Sequence, residues 1–165
     1  MNDPIPLSQV PADQVDALLD AAFGPERRGR TAYRVRAGTD AIDELSFALL
    51  ADERLIGSIQ CWPVQLTGAD GSVAPLVMVG PVAVAPDRQG EGIGRALMAR
   101  TIGAAGPDAP LMLIGDPEYY GRFGFSADRT GGWRLPGPYE QRRLLAMGAV
   151  PDRAGMVAPR VTVTA

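Results

Sequence analysis

Gly90, Gly92 and Gly94 stand at every second position between an apolar segment that ends at Ala85 and an amphipathic one. Glycine leaves the main-chain N–H groups uncovered, so successive amides can turn toward a single anion. A helix starting at that point adds its unpaired first-turn N–H groups and the positive end of its dipole. This is chemistry for holding a phosphate or pyrophosphate, and it points to a cofactor carrying one. The G-x-G-x-G spacing differs from the G-x-G-x-x-G of dinucleotide folds. The P-loop lysine is absent because the chain has no lysine, which argues against NTP hydrolysis. Taken alone, the three glycines also fit a plain tight turn.

Composition bounds the remaining chemistry. The chain has 165 residues, 46% of them apolar, which suits a single domain spanning 1–165 with a real core. There is no histidine, so histidine general bases, Ser-His-Asp triads and His-ligated zinc are excluded. Cys61 is the lone cysteine, so there is no intrachain disulfide and no cysteine cluster for a metal. In a strand such a residue is read as a small buried apolar group. The formal net charge is −3, which disfavours general nucleic-acid binding. All sixteen basic residues are arginine, a bias that a G- and C-rich genome would produce. No basic, apolar leader opens the chain, and the apolar run over 74–86 is shorter than the ~20 residues that span a bilayer. These features predict a cytoplasmic protein with no membrane partner.

The elements that must position the glycine loop are legible in outline. Val15, Leu18, Leu19, Ala22 and Phe23 recur at helical spacing, and Gly24-Pro25 stops that helix. Residues 26–36 hold five arginines, read as solvated loop or short helix, with Arg27, Arg28 and Arg30 suited to a substrate carboxylate or phosphate. Segments 45–50 and 55–64 flank Ala51-Asp52-Glu53-Arg54 as a hairpin. A long strand over 74–85 is interrupted at Gly80-Pro81, since proline cannot donate to a ladder. A helix over about 92–104 buries Ile93, Ala96, Leu97, Thr101 and Ile102. A strand at 111–114 and a short helix at 117–123 follow, with Pro117 at the first helical position. Closing strands are expected at 142–147 and 157–164. Trp62, Phe123 and Phe125 read as core aromatics. The sum is a mixed α/β domain.

Gln89-Gly90-Glu91-Gly92-Ile93-Gly94 resembles the Gln/Arg-x-x-Gly-x-Gly/Ala signature of the GNAT superfamily of acetyl-CoA-dependent N-acetyltransferases. Val82 to Arg88 looks like the end of that family's fourth strand. Gly115-Asp116-Pro117-Glu118-Tyr119-Tyr120-Gly121-Arg122-Phe123-Gly124-Phe125 is similar to its second sequence block, in the form of the YhbS-like branch. The resemblance is sharp over about residues 76–126 and faint after 130.

The resemblance implies a GNAT-like fold: a central, mostly antiparallel sheet flanked by helices, with the fourth and fifth strands splayed apart. It implies acetyl-CoA as cosubstrate and no metal. Val82, Ala83 and Val84 would meet the pantetheine arm and polarise the thioester carbonyl. Gln89, Gly90, Gly92, Ile93, Gly94 and Arg95 would seat the pyrophosphate, with Arg88 and Arg95 adding charge. Tyr120 would protonate the departing thiolate, as a phenol of pKa ~10 can. The glutamate that many members carry on strand four has no counterpart over 74–85. Asp116 is then the nearest acidic candidate for a base, although Asp before Pro also reads as a helix N-cap, and a water chain is the other route. The implied reaction moves an acetyl group from the thioester to a primary amine of a small molecule or peptide. The alternative is a non-catalytic acyl-CoA-binding sensor or interaction module. A monomer or homodimer is expected, with no nucleic-acid partner.

Overall fold

The apolar run before the glycine loop forms a strand with its centre buried: Leu76, Met78, Val79 and Ala83 are all closed off from solvent. The computed structural model describes residues 3–161. In chain order its elements are β1 (Ile5–Pro6), α1 (Ala12–Phe23), α2 (Thr31–Val35), β2 (Phe47–Ala51), β3 (Arg54–Thr67) and β4 (Val73–Val84). They continue with α3 (Ile93–Ala105), β5 (Leu111–Ile114), α4 (Pro117–Tyr120), β6 (Trp133–Arg134), β7 (Leu144–Met147) and β8 (Gly155–Pro159). Eight strands make one mixed sheet ordered β1-β2-β3-β4-β5-β7, and β8 pairs with β3 and β6.

The contacts divide the chain into two compact units. One holds residues up to Arg28, Ala41–Cys61 and Gly80–Pro107; the other holds Gly29–Asp40, Trp62–Val79 and the residues from Asp108 on.

In the first unit, β2 and β3 form an antiparallel hairpin closed by Asp52 and Glu53, both at positive φ (50° and 66°). Two left-handed central residues give the twist that a two-residue hairpin loop needs. Helix α3 lies on this hairpin. It buries Ile93, Leu97, Met98 and Thr101, so Met98 belongs to the face that spacing assigned to Ala96 and Ile102. Gly57 permits the approach: a β-carbon there would stand 3.1 Å from Leu97 Cδ1 and closer still to Ile93 Cγ2. The Thr101 hydroxyl donates to Leu45 O (3.0 Å), and the Arg100 guanidinium stacks 4.3 Å from the Phe47 ring centroid.

In the second unit, β4 and β5 run parallel, joined through Val77↔Leu111 and Met78↔Met112, and the ladder ends after those two pairs. β5 keeps a longer antiparallel ladder with β7, from Leu111↔Met147 to Ile114↔Leu144. The core gathers Leu66, Leu76, Met78, Met112 and Leu144 around Trp133, which is 1% exposed and donates its indole N–H to Pro151 O (3.2 Å).

Several expectations are corrected. β4 runs unbroken through Gly80-Pro81, with Gly80 at φ 126° and a cis bond to Pro81. Leu45 lies in a 3-10 turn before β2. β7 starts at Leu144, because residues 141–143 form a 3-10 turn. β8 begins at Gly155, two residues before the expected strand, whose last three residues lie outside the described residues. β1 and β6 are two residues each, too short for a periodicity to register. Phe125 is core, whereas Trp62 and Phe123 are half-buried.

Candidate active site

The glycine loop is held at both ends. At its entry, Ala85 N donates to Ile56 O (2.8 Å), which ties the end of β4 to β3. Pro86–Arg88 then make a 3-10 turn. Arg54 grips Asp87 with two parallel bonds, Nη1 to Oδ2 at 2.8 Å and Nη2 to Oδ1 at 2.7 Å. That fork holds the Asp87 carboxyl down to about 2. Gln89 turns back so that its Nε2 donates to Val84 O (3.2 Å).

Gly90 and Gly92 adopt φ of 84° and 79°, and a β-carbon at either would meet open space. Glycine is required there by the left-handed backbone rather than by crowding. Gly92 is the N-cap of α3, and Ala96 N is the first amide to donate to Gly92 O (3.0 Å). Among the described residues, the amides of Gly90 to Arg95 have no backbone acceptor outside α3. They are available to an anion at the start of a thirteen-residue helix.

The two arginines expected beside the phosphates differ. Arg88 forms a fork across the loop with Glu91, Nε to Oε2 at 2.8 Å and Nη2 to Oε1 at 3.0 Å. Arg95 is exposed on the first turn of α3 and makes no ion pair among the described residues. On β4, Ala83 is buried while Val82 and Val84 are half-buried. Arg27 is not a surface group: it is 2% exposed and paired with Asp20 (2.9 Å) and Asp16 (3.5 Å). The sequence reading missed this because the two aspartates lie seven and eleven residues upstream, on α1, beyond the break at Gly24-Pro25. Arg28 is exposed, 3.9 Å from Asp16.

Asp116 and Tyr120 lie in the second unit. Asp116 is the N-cap of α4: its Oδ1 accepts from Glu118 N (3.1 Å), and its carbonyl accepts from Tyr119 N and Tyr120 N. The Glu118 side chain and amide, with Arg142 and Arg143 nearby, hold its carboxyl below the usual carboxylate range. Such a group is a weak proton acceptor at neutral pH. The Tyr120 ring is largely enclosed, meeting Tyr119, Phe123 and Phe125 at centroid distances of 4.9, 6.5 and 6.4 Å. Its hydroxyl has no hydrogen-bond partner among the described residues. Burial, then the Tyr119 phenol, push its pKa up, so it stays a neutral donor through the physiological range.

Sequence spacing gave no sign of three further residues. Arg54 lies 33 residues before Asp87, across β3 and β4, and Gly57 and Gly115 reveal their purpose only through the side chains they admit, Ile93 with Leu97 and Tyr120 respectively. Among the described residues, no group of three or more Cys, Asp or Glu side chains is placed to hold a metal, and no helix is long and apolar enough to cross a membrane.

Residues 5–127 match the model of the Acetyltransferase (GNAT) domain. The chain is 29% identical over 122 residues to the uncharacterized N-acetyltransferase YhbS of Escherichia coli K12, covering 71% of this chain and 70% of that one. The crystal structure of the E. coli GNAT family N-acetyltransferase YhbS in complex with CoA superposes with a TM-score of 0.69 at 23% identity, over 90% of this chain and 84% of that one. A GNAT family acetyltransferase from Brucella melitensis in complex with acetyl-CoA gives a TM-score of 0.59 at 28% identity, over 92% of both chains. With the glycine loop at the head of α3 and the parallel β4–β5 pair, these matches show that the chain belongs to the GNAT family of acetyltransferases.

Proposed function

We propose that this chain acts as one domain over 1–165 that binds acetyl-CoA and moves its acetyl group to a primary amine of a small molecule or peptide. The observation that carries the reading is the run of unengaged amides from Gly90 to Arg95 at the head of α3, shaped by left-handed Gly90 and Gly92. These suit the CoA pyrophosphate, with Arg95 beside them. Relatives solved with CoA or acetyl-CoA support the choice of cosubstrate. Arg88 joins in only by leaving Glu91, so its first role is to brace the loop.

In the proposed reaction the amine nitrogen attacks the thioester carbonyl carbon, and the C–S bond breaks. The Val82–Val84 main chain polarises the carbonyl oxygen. Tyr120 gives its phenolic proton to the departing sulfur; its open hydroxyl leaves it free to do so, and its raised pKa keeps it protonated until that step. Asp116 is committed to its cap, so deprotonation of the amine runs through water. A thiol-release assay with acetyl-CoA against amines, peptides and aminoglycosides, beside calorimetric titration with CoA, tests the reading. Turnover with one amine class supports it. CoA binding without turnover on any acceptor favours a non-catalytic CoA-binding module, and no CoA binding sinks both.

A further inference from the structure

A cavity of about 270 Å³ opens between the tip of the β2–β3 hairpin and the glycine loop. Leu49 and Ile56 of the hairpin and Ile93 of α3 make its apolar wall, and Asp52, Arg88 and Glu91 bring charge to it. All of these belong to the first unit. Apart from Arg88 and Ile93, no residue assigned above to acetyl-CoA lines it. The acetyltransferase reading therefore leaves this cavity without an occupant. Its volume falls just below the range of about 300–1,000 Å³ found for ordinary ligand pockets, which suits a small molecule.

The charges select the kind of molecule. Asp52 is exposed at the hairpin tip and has no cation paired with it among the described residues, since its neighbour Arg54 is forked onto Asp87. Glu91 is 42% exposed, and both its oxygens accept from the Arg88 fork, at 2.8 and 3.0 Å. Two carboxylates against one guanidinium leave one negative charge at the cavity. A cation entering there meets Asp52 unopposed. To hold Glu91 as well, it must offer what Arg88 offers, a flat head with two parallel N–H donors. The Arg88–Glu91 pair is easily exchanged, because an ion pair open to water gains little over its solvated groups.

We propose that this cavity is a regulatory site for a small organic cation, its apolar body lying on Leu49, Ile56 and Ile93 and its amidinium or guanidinium head between Asp52 and Glu91. Occupation draws Glu91 off Arg88. The released guanidinium then turns to the CoA phosphates, which Arg88 joins only when Glu91 lets go. Cation and CoA therefore favour one another's binding, and by linkage each tightens the other by the same factor. That coupling rests on the acetyltransferase reading, whereas the cavity's preference for a cation does not.

Benzamidine is the probe: its ring suits the apolar wall, and its protonated amidine has no lone pair to offer a thioester. Calorimetry on the wild type should show benzamidine binding, and a crystal structure of the complex should place it against Asp52 and Ile56. Asp52→Asn removes the unopposed charge and keeps a residue that tolerates the left-handed backbone there (φ 50°). It should weaken benzamidine by about three- to fivefold, as loss of a surface charge pair does, with CoA affinity and melting temperature unchanged. Saturating benzamidine should tighten CoA on the wild type by about threefold. It should leave CoA affinity untouched on Arg88→Gln, which binds benzamidine more tightly because Glu91 is already released. An empty cavity, equal benzamidine affinity for wild type and Asp52→Asn, or a wild-type CoA affinity that ignores benzamidine overturns the proposal. So does a CoA affinity that falls with benzamidine, which would make the cavity part of the CoA site. If the wild type binds no CoA, the proposed function falls instead, and benzamidine binding with its dependence on Asp52 still decides the cavity.

Discussion

Gly115 and Tyr120 are fitted to one another: a β-carbon on Gly115 would stand 2.8 Å from Tyr120 Cδ2, inside any permitted contact. Gly115 closes β5, its N–H donating to Arg143 O (2.9 Å). The turn of α4 then brings the phenol ring back over it. Gly115→Ala is expected to displace the ring and cost about 1–3 kcal/mol, the usual range for overpacking. Thermal unfolding reads the stability, and thiol release reads the accompanying fall in kcat. An unshifted melting temperature with full turnover would show that the ring adapts.

Tyr120→Phe keeps the ring packing and removes the proton. Turnover should fall by about 10²–10⁴-fold, the range for a lost general acid, with CoA affinity unchanged by calorimetry. Because burial raises the phenol's pKa, the alkaline limb of kcat is expected above the ordinary tyrosine value of about 10. A limb near pH 7 to 8 would assign the acid to another group.

The Arg54–Asp87 fork gives a pH dependence of known sign. The Asp87 carboxyl is held at about 2 by Arg54, below its unfolded value of about 3.9. Its contribution to stability is therefore complete above the unfolded value and is lost as pH falls from about 4 toward 2. Melting temperatures of wild type and Asp87→Asn should differ most above pH 5 and converge by pH 2. Both groups are exposed, so the difference will be small and will shrink further in salt.

Cys61 is buried on β3, and burial pushes its thiol up to about 12. The thiolate is the reactive form, so iodoacetamide at pH 8 should label the native protein far more slowly than the urea-unfolded chain. Equal rates would mean that β3 opens readily.

The helices and strands with a strong period were legible in the chain. α1 follows from the spacing of Val15, Leu18 and Leu19, and Gly24-Pro25 ends it. The hairpin follows from two apolar runs around Asp52-Glu53, and α3 from the apolar stripe after Gly92. The glycine loop and the Tyr120 block were legible for a related reason: backbone conformation demands a particular residue type at a fixed place. Left-handed Gly90 and Gly92 and capping Asp116 are local requirements, written in consecutive residues.

What only the tertiary structure decided joins residues that sequence separates. Arg27 looked like solvated surface until α1 brought Asp16 and Asp20 to it. Arg88, expected to add charge at the CoA phosphates, is held by Glu91 once the loop folds. Gly57 and Gly115 show their purpose only through Ile93 and Tyr120, and Asp52 its place beside Glu91 only through the cavity that both line. Periodicity and capping depend on near neighbours, so one chain suffices to read them. Close approach, burial and charge pairing depend on how turns and elements fold onto one another, whether the partners are a few residues apart or tens, and no periodic pattern records them.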